Sequence, residues 1–205
     1  GTIYVERIPA GESVLLDGVA VSWGNFVRVR DCTGRVQLVR CRSEGRAPIA
    51  TLPSARGLVI ENCELVTFHA GVTSGSPAGV GITNSAAYFS DSTLLGTVGG
   101  QFFRQQWAAS PGLACSQKSL VLISRCTFRG GDEASNVRLT PSPALVIVDS
   151  TLMIAGRSAL SAGKAKSAFV VSAIQISNSN LTLDPNATLT STNTMRDVVG
   201  SGTVN

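Results

Sequence analysis

Apolar and polar residues alternate in six short segments of the chain. They read FVRVRDC from Phe26, GLVIENCELVTF from Gly57, GVGITNSAAYFS from Gly79, GLACSQKSLVLI from Gly112, ALVIVDSTLMIA from Ala144 and AIQISNSNLTLD from Ala173. Counting the first residue of each as zero, positions one and three are apolar in all: Val27/Val29, Leu58/Ile60, Val80/Ile82, Leu113/Cys115, Leu145/Ile147 and Ile174/Ile176. A period of two predicts a strand with this face turned inward. Position five then carries Asp31, Asn62, Asn84, Gln117, Asp149 or Asn178, and position six Cys32, Cys63, Ser85, Lys118, Ser150 or Ser179. Asn and Asp tolerate left-handed backbone and hydrogen-bond their neighbours, so an Asx followed by a small residue predicts a sharp bend into a second strand.

That second strand is announced by a further apolar pair, Ala87/Phe89, Leu120/Leu122, Leu152/Ile154 and Leu181/Leu183. In the second segment Leu65 keeps the pattern and Thr67 breaks it, while the first segment needs Thr33 and Gly34 as extra residues before Val36 and Leu38. The segments begin 22 to 33 residues apart, which excludes a strict hexapeptide solenoid and suits longer coils with variable loops. The expected fold is all-β, a single-stranded right-handed parallel β-helix of about six coils in one domain. Residues 1–25 are expected as N-terminal cap strands over an otherwise open edge, 26–189 as coils and 190–205 as a polar tail. The Gly-, Ser- and Pro-rich stretches 96–112, 130–143 and 156–172 are expected to bulge from one side of the coils, with a short helix over Gln101–Ala109. Gln117-Lys118 departs from the Asx-small pattern, so the ladder of stacked side chains is expected to break there.

The unit resembles the coil of pectate-lyase-like right-handed β-helices, in which strand, short turn and strand are marked by a stacked asparagine ladder. The column Asp31, Asn62, Asn84, Gln117, Asp149 and Asn178 carries the resemblance, over residues 26 to 190 or so. It implies the architecture. Lyases of that family hold calcium in a carboxylate cluster with an arginine or lysine as base, and its hydrolases use several close aspartates; neither set is matched here. Asp132-Glu133 is the one adjacent acidic pair, in a Gly-rich loop without a partner carboxylate at matching positions, so no metal or other cofactor is expected and calcium is unsupported.

At 205 residues and 43% hydrophobic the chain suits one domain with a sizeable core, and its lack of an 18-residue apolar run predicts no membrane span. The net charge of +4 is mostly arginine, dispersed and without aromatic platforms, which argues against a nucleic acid partner while favouring contact with an acidic polymer. Five cysteines (Cys32, Cys41, Cys63, Cys115, Cys126) form no C-x-x-C pair; several stand where other copies have Ser or Ala, and small buried thiols are expected.

Two sets of residues offer chemistry. Arg40, His69, Asp91 and Arg125, followed by Gly156, fall in a second column about twelve positions into the unit. Stacked, they would set the lone histidine beside a carboxylate between arginines, an acid–base arrangement suited to an acidic sugar. The plainer expectation is a column of solvated turn residues whose charges alternate because like charges repel. Phe102, Phe103 and Trp107 offer a platform for sugar rings or a protein, or apolar anchors for a long loop. The resulting expectation is a non-catalytic extracellular or cell-surface β-helix, structural, adhesive or binding a polysaccharide or cell-surface glycan. The alternatives are a divergent polysaccharide lyase or glycoside hydrolase on an acidic polysaccharide, and a self-assembling fibre or trimeric adhesin subunit.

Overall fold

The computed structural model describes residues 3–22, 27–44, 58–69, 73–74, 79–96, 98, 100–102, 105–133, 140–166, 168–192 and 197–205. Among them every regular element is a β-strand. The strands follow one another in triplets. The first is β1 (Ile3–Glu6), β2 (Ser13–Asp17) and β3 (Ala20–Ser22); the second β4 (Val27–Arg30), β5 (Arg35–Val39) and β6 (Arg42–Glu44); the third β7 (Leu58–Glu61), β8 (Leu65–His69) and β9 (Thr73–Ser74). The fourth is β10 (Val80–Thr83), β11 (Ala86–Ser90) and β12 (Thr93–Leu95), followed by a hairpin of β13 (Gly100–Phe102) and β14 (Gln105–Trp107). The fifth is β15 (Leu113–Ser116), β16 (Leu120–Ser124) and β17 (Thr127–Arg129), and the sixth β18 (Leu145–Val148), β19 (Thr151–Ala155) and β20 (Ala159–Ser161). In the last, β21 (Ile174–Leu183) fills the first two places and β22 (Thr188–Thr190) the third, and β23 (Val198–Val204) ends the chain's strands.

Each strand pairs in parallel with the strand of the same rank in the next triplet. First-rank strands run β1-β4-β7-β10-β15-β18-β21 and second-rank strands β2-β5-β8-β11-β16-β19-β21, so the two columns join at β21 in one curled 14-stranded sheet that also holds β23. Third-rank strands form a 7-stranded sheet, β3-β6-β9-β12-β17-β20-β22. This third column has no counterpart in the sequence reading, because strands of two or three residues are too short to display an alternation.

The core lies between the columns. Val29, Ile60, Ile82, Cys115, Ile147 and Ile176 stand in register along the first column, all buried as their period-two spacing predicts. Leu94, Phe128 and Leu160 do the same on the third, and Phe128 meets Phe89 of the second edge to face at 6.0 Å. Each such aliphatic side chain contributes about 1.5–3 kcal/mol by leaving water.

Four expectations change. The segment before Phe26 is a full triplet in register with the next, Ile3 opposite Val27 and Val14 opposite Val36. The tail carries β23, paired in parallel with β21. In place of a helix over Gln101–Ala109 there is the antiparallel hairpin, Gly100 opposite Trp107. The second-strand register also moves by one in two copies. In the fifth triplet Gln117 and Lys118 both adopt left-handed backbone, φ 56° and 61°, so the corner holds one residue more than its neighbours. Because side chains alternate, one added residue turns the whole strand over. Val121 and Ile123 are buried, and Leu120, expected inside, is 56% exposed. In the third triplet Val66 and Phe68, not Leu65 and Thr67, stand opposite Ala87 and Phe89, so Thr67 breaks no pattern.

Candidate functional site

Two corners carry most of the polar side chains that connect one triplet to the next. At the first, between first- and second-rank strands, Arg7, Asp31, Asn62, Asn84, Gln117, Lys118, Asp149 and Asn178 all have φ between 46° and 61°. Asn62 Nδ2 donates to Asp31 Oδ1 at 2.9 Å, Asn84 Nδ2 to Asn62 Oδ1 at 3.1 Å, and Asn178 Nδ2 to Asp149 Oδ1 at 2.7 Å. The ladder is therefore real on both sides of Gln117, where no such bond is formed among the described residues. The break coincides with the corner where Gln117 and Lys118 are both left-handed.

Immediately inside this ladder runs a second one. The Ser85 hydroxyl accepts the Cys63 N–H at 2.9 Å, Ser150 accepts the Ser119 N–H at 3.2 Å and Ser179 accepts the Ser150 N–H at 3.1 Å. Ser85, Ser150 and Ser179 each donate to the carbonyl two residues back, at 2.7–2.8 Å. Cys32 Sγ makes the same bond to Arg30 O at 3.2 Å, which explains why cysteine replaces serine in the early copies. Ser119, not Lys118, fills this buried column in the fifth triplet. A serine following two polar residues is the sequence signal that was there to be read.

The second corner, between second- and third-rank strands, repeats the device. Gly18, Arg40, Asp91, Arg125 and Gly156 all have φ between 50° and 66°. Arg125 grips Asp91 through Nε at 2.8 Å and Nη2 at 2.7 Å, and this carboxylate holds the guanidinium pKa above its ordinary value. Arg40 grips Asp17 the same way, with Nε to Oδ1 at 2.9 Å and Nη2 to Oδ2. Further along, the Gly156 N–H donates to Asp184 Oδ2 at 3.0 Å. Asp184 also accepts the N–H and side-chain amide of Asn186, and these bonds hold its carboxyl below the usual range.

Three of the four residues of the expected acid–base column thus stand together. Arg40, Asp91 and Arg125 share the corner, but His69 pairs with Val39 and so belongs to strand β8, one position before the corner. Asp17 and Asp184, which the sequence reading passed over, complete the ladder; Asp17 stands directly before Gly18 and Asp184 directly before Pro185, both turn signals.

Of the aromatic trio, Phe102 and Trp107 lie on the two strands of the hairpin and Phe103 lies outside the described residues. Asp132 and Glu133 close a loop. Asp132 pairs with Arg129 at 2.5 Å and accepts the Lys164 N–H at 2.7 Å, and buried Glu133 accepts the Lys166 N–H at 2.7 Å. Among the described residues no group of three or more His, Cys, Asp or Glu could hold a metal ion, and no helix is long and apolar enough to cross a membrane. All five cysteines are buried and free of disulfides, and burial pushes the Cys115 thiol up to about 12.

Where the first ladder breaks, the surface opens into a groove of about 700 Å³, within the range of ligand sites. Asn84, Gln117, Asp149 and Asn178 line it from the corner and Leu120, Thr151 and Asn180 from the second-rank sheet. Leu120↔Thr151↔Asn180 are strictly in register, so an apolar side chain, a hydroxyl and an amide follow at inter-strand steps of roughly 4.8 Å. Lys118 adds a cation that makes no ion pair among the described residues. No protein-family model matches the sequence, and no curated protein matches it either.

Proposed function

We propose that the chain is a right-handed parallel β-helix of the pectate-lyase-like kind, a non-catalytic extracellular or cell-surface scaffold that binds carbohydrate at its first corner. The observation that carries the reading is the use made of the polar side chains. The arginines and carboxylates of the candidate acid–base column are engaged with each other as bidentate pairs between adjacent triplets, Arg40 with Asp17 and Arg125 with Asp91. A carboxylate gripped in this way is a poor base, because its lone pairs are engaged and its negative charge is stabilised. Regular strand columns, loops between third- and first-rank strands and a groove of amides around one exposed leucine support a scaffold that presents a binding surface. Amides and hydroxyls match sugar hydroxyls, and Leu120 offers an apolar patch for a ring face.

The test is a glycan array with the full chain, followed by titration calorimetry of any hit against Leu120→Ser and Asn178→Ala. Retention of a glycan by the parent chain and its loss in both variants is expected. Release of unsaturated or reducing ends from acidic polysaccharides, abolished in His69→Ala, would overturn the non-catalytic reading.

A further inference from the structure

The groove at the first corner opens onto the outer face of the second-rank sheet. Ala87, Val121, Ile123, Leu152, Ile154 and Leu181 are buried, so the residues that alternate with them point away from the core. Two outward rows result. Ala86↔Leu120↔Thr151↔Asn180 run in register along the groove, and Tyr88↔Leu122↔Met153↔Thr182 run beside them, two residues further along each strand. Leu120 and Met153 are 56% and 47% exposed, and Tyr88 and Leu122 are half-buried. At roughly 4.8 Å per rung and about 7 Å between rows, the two rows span a face about 14 Å long.

The middle of this face is apolar and its margin polar. Leu120, Leu122, Met153 and the Tyr88 ring make the middle. Gln117, Thr151 and Asn180, whose side chains make no hydrogen bond among the described residues, supply donors and acceptors around it. An exposed apolar patch rimmed by polar groups marks an interaction site. Charge then narrows the ligand. Lys118 and Asp149 are the charged residues lining the groove, one of each sign, and the two rows carry none. Past the far end of the strands, Arg125 and Asp91 are engaged with each other. A polyanion therefore meets no net positive field here, whatever the chain's overall charge of +4 favours elsewhere.

We infer that the ligand is a neutral, flat-faced glycan, an oligomer of equatorially substituted pyranoses such as β-1,4-linked glucose or N-acetylglucosamine, laid along the column over Leu120, Leu122 and Met153. This rests on the carbohydrate reading above and names its substrate class. In such sugars the axial C–H bonds give each ring two apolar faces, while hydroxyl or acetamide groups project from the rim. The faces rest on the leucines, Met153 and Tyr88, and the rim meets Gln117, Thr151 and Asn180. An axial hydroxyl would hold the ring off the apolar middle. A carboxylate would find Lys118 alone, itself offset by Asp149. A face of about 14 Å is longer than one ring, so an oligomer fits it better than a monosaccharide.

The test is titration calorimetry of the full chain with β-1,4-linked tetramers of glucose and of N-acetylglucosamine, and with tetragalacturonate. A neutral tetramer is expected to bind about tenfold or more tighter than tetragalacturonate and than its own monosaccharide. Its affinity is expected to be unchanged between about 50 and about 500 mM sodium chloride, because no charge is paired. Met153 lies outside the groove's lining, and Met153→Ser, folded by circular dichroism, should weaken the tetramer about tenfold by removing apolar contact. Tetragalacturonate binding as tightly, or an affinity that falls with salt, overturns the inference and leaves the carbohydrate reading standing. So does a Met153→Ser chain that binds like the parent while Asn178→Ala does not, since the ligand would then stop at the groove. Failure of both neutral tetramers to bind overturns it whatever else is retained; silence from the glycan array as well removes the carbohydrate reading too.

Discussion

Replacing Ser150 by alanine removes a hydroxyl that serves two buried backbone groups at once. Ser150 is 5% exposed; its Oγ accepts the Ser119 N–H at 3.2 Å and donates to Val148 O at 2.8 Å. Alanine leaves the Ser119 N–H buried without that acceptor, and an orphaned buried donor costs about 1–3 kcal/mol. For a chain of this size the midpoint of thermal unfolding falls by roughly 2–4 °C per kcal/mol. Cysteine is the informative comparison, because Cys32 already occupies this column and bonds its own i−2 carbonyl through sulfur. Urea unfolding followed by circular dichroism should therefore rank wild type above Ser150→Cys, and Ser150→Cys above Ser150→Ala. The repeated architecture makes a single transition something to verify with a second probe, such as fluorescence. An alanine variant within about 0.5 kcal/mol of wild type, the spread of ordinary surface changes, would refute the inner ladder as a stabilising element.

Three further outcomes follow from the same geometry. Ile123→Ala should cost about 2–5 kcal/mol and Leu120→Ala less than about 0.5, measured by urea unfolding; the reverse order would put β16 back in the register the sequence suggested. Burial raises the thiol pKa of Cys115 to about 12 and lifts that of Cys126, so a disulfide reagent near pH 8 should label neither in the native chain and both in guanidinium. Rapid native labelling at either would contradict the burial. The Asp184 carboxyl is held below its unfolded value, so its contribution is present above the unfolded pKa of about 3.9 and is lost as pH falls through the lower folded value. Asp184→Ala should accordingly be destabilising at neutral pH, with the gap to wild type closing only below about pH 4; a gap that is unchanged in acid would remove the carboxylate from the account.

Much of the architecture was written in the alternation. The first-column core, from Val29 to Ile176, and the left-handed Asx column from Asp31 to Asn178 are where the spacing placed them, because period two and the αL tolerance of Asn and Asp are strong local signals. Gln117-Lys118 was visible as the weak point, yet its consequence was not. Lysine and glutamine have no local preference that announces a two-residue left-handed corner, and LVLI reads equally well in either register because all four residues are apolar. The site was less legible. An offset count placed His69 in the corner because it missed the one-residue shift that sets Val66 and Phe68 opposite Ala87 and Phe89, and the partners Asp17 and Asp184 lie in neighbouring triplets whose register only pairing reveals. The groove is lined by Gln117, Lys118 and Leu120, the residues whose placement depends on that two-residue corner, so the alternation alone does not reveal it.

The central claim is the parallel, in-register stacking of successive triplets through the fifth corner. Cross-strand nuclear Overhauser contacts between backbone protons of β11, β16 and β19 test it most directly. The account predicts contacts from Val121 to Ala87 and Leu152, and from Ile123 to Phe89 and Ile154, with the pattern of parallel strands. Contacts that instead join Leu120 to Ala87 and Leu152, or a pattern of antiparallel pairing, would contradict it.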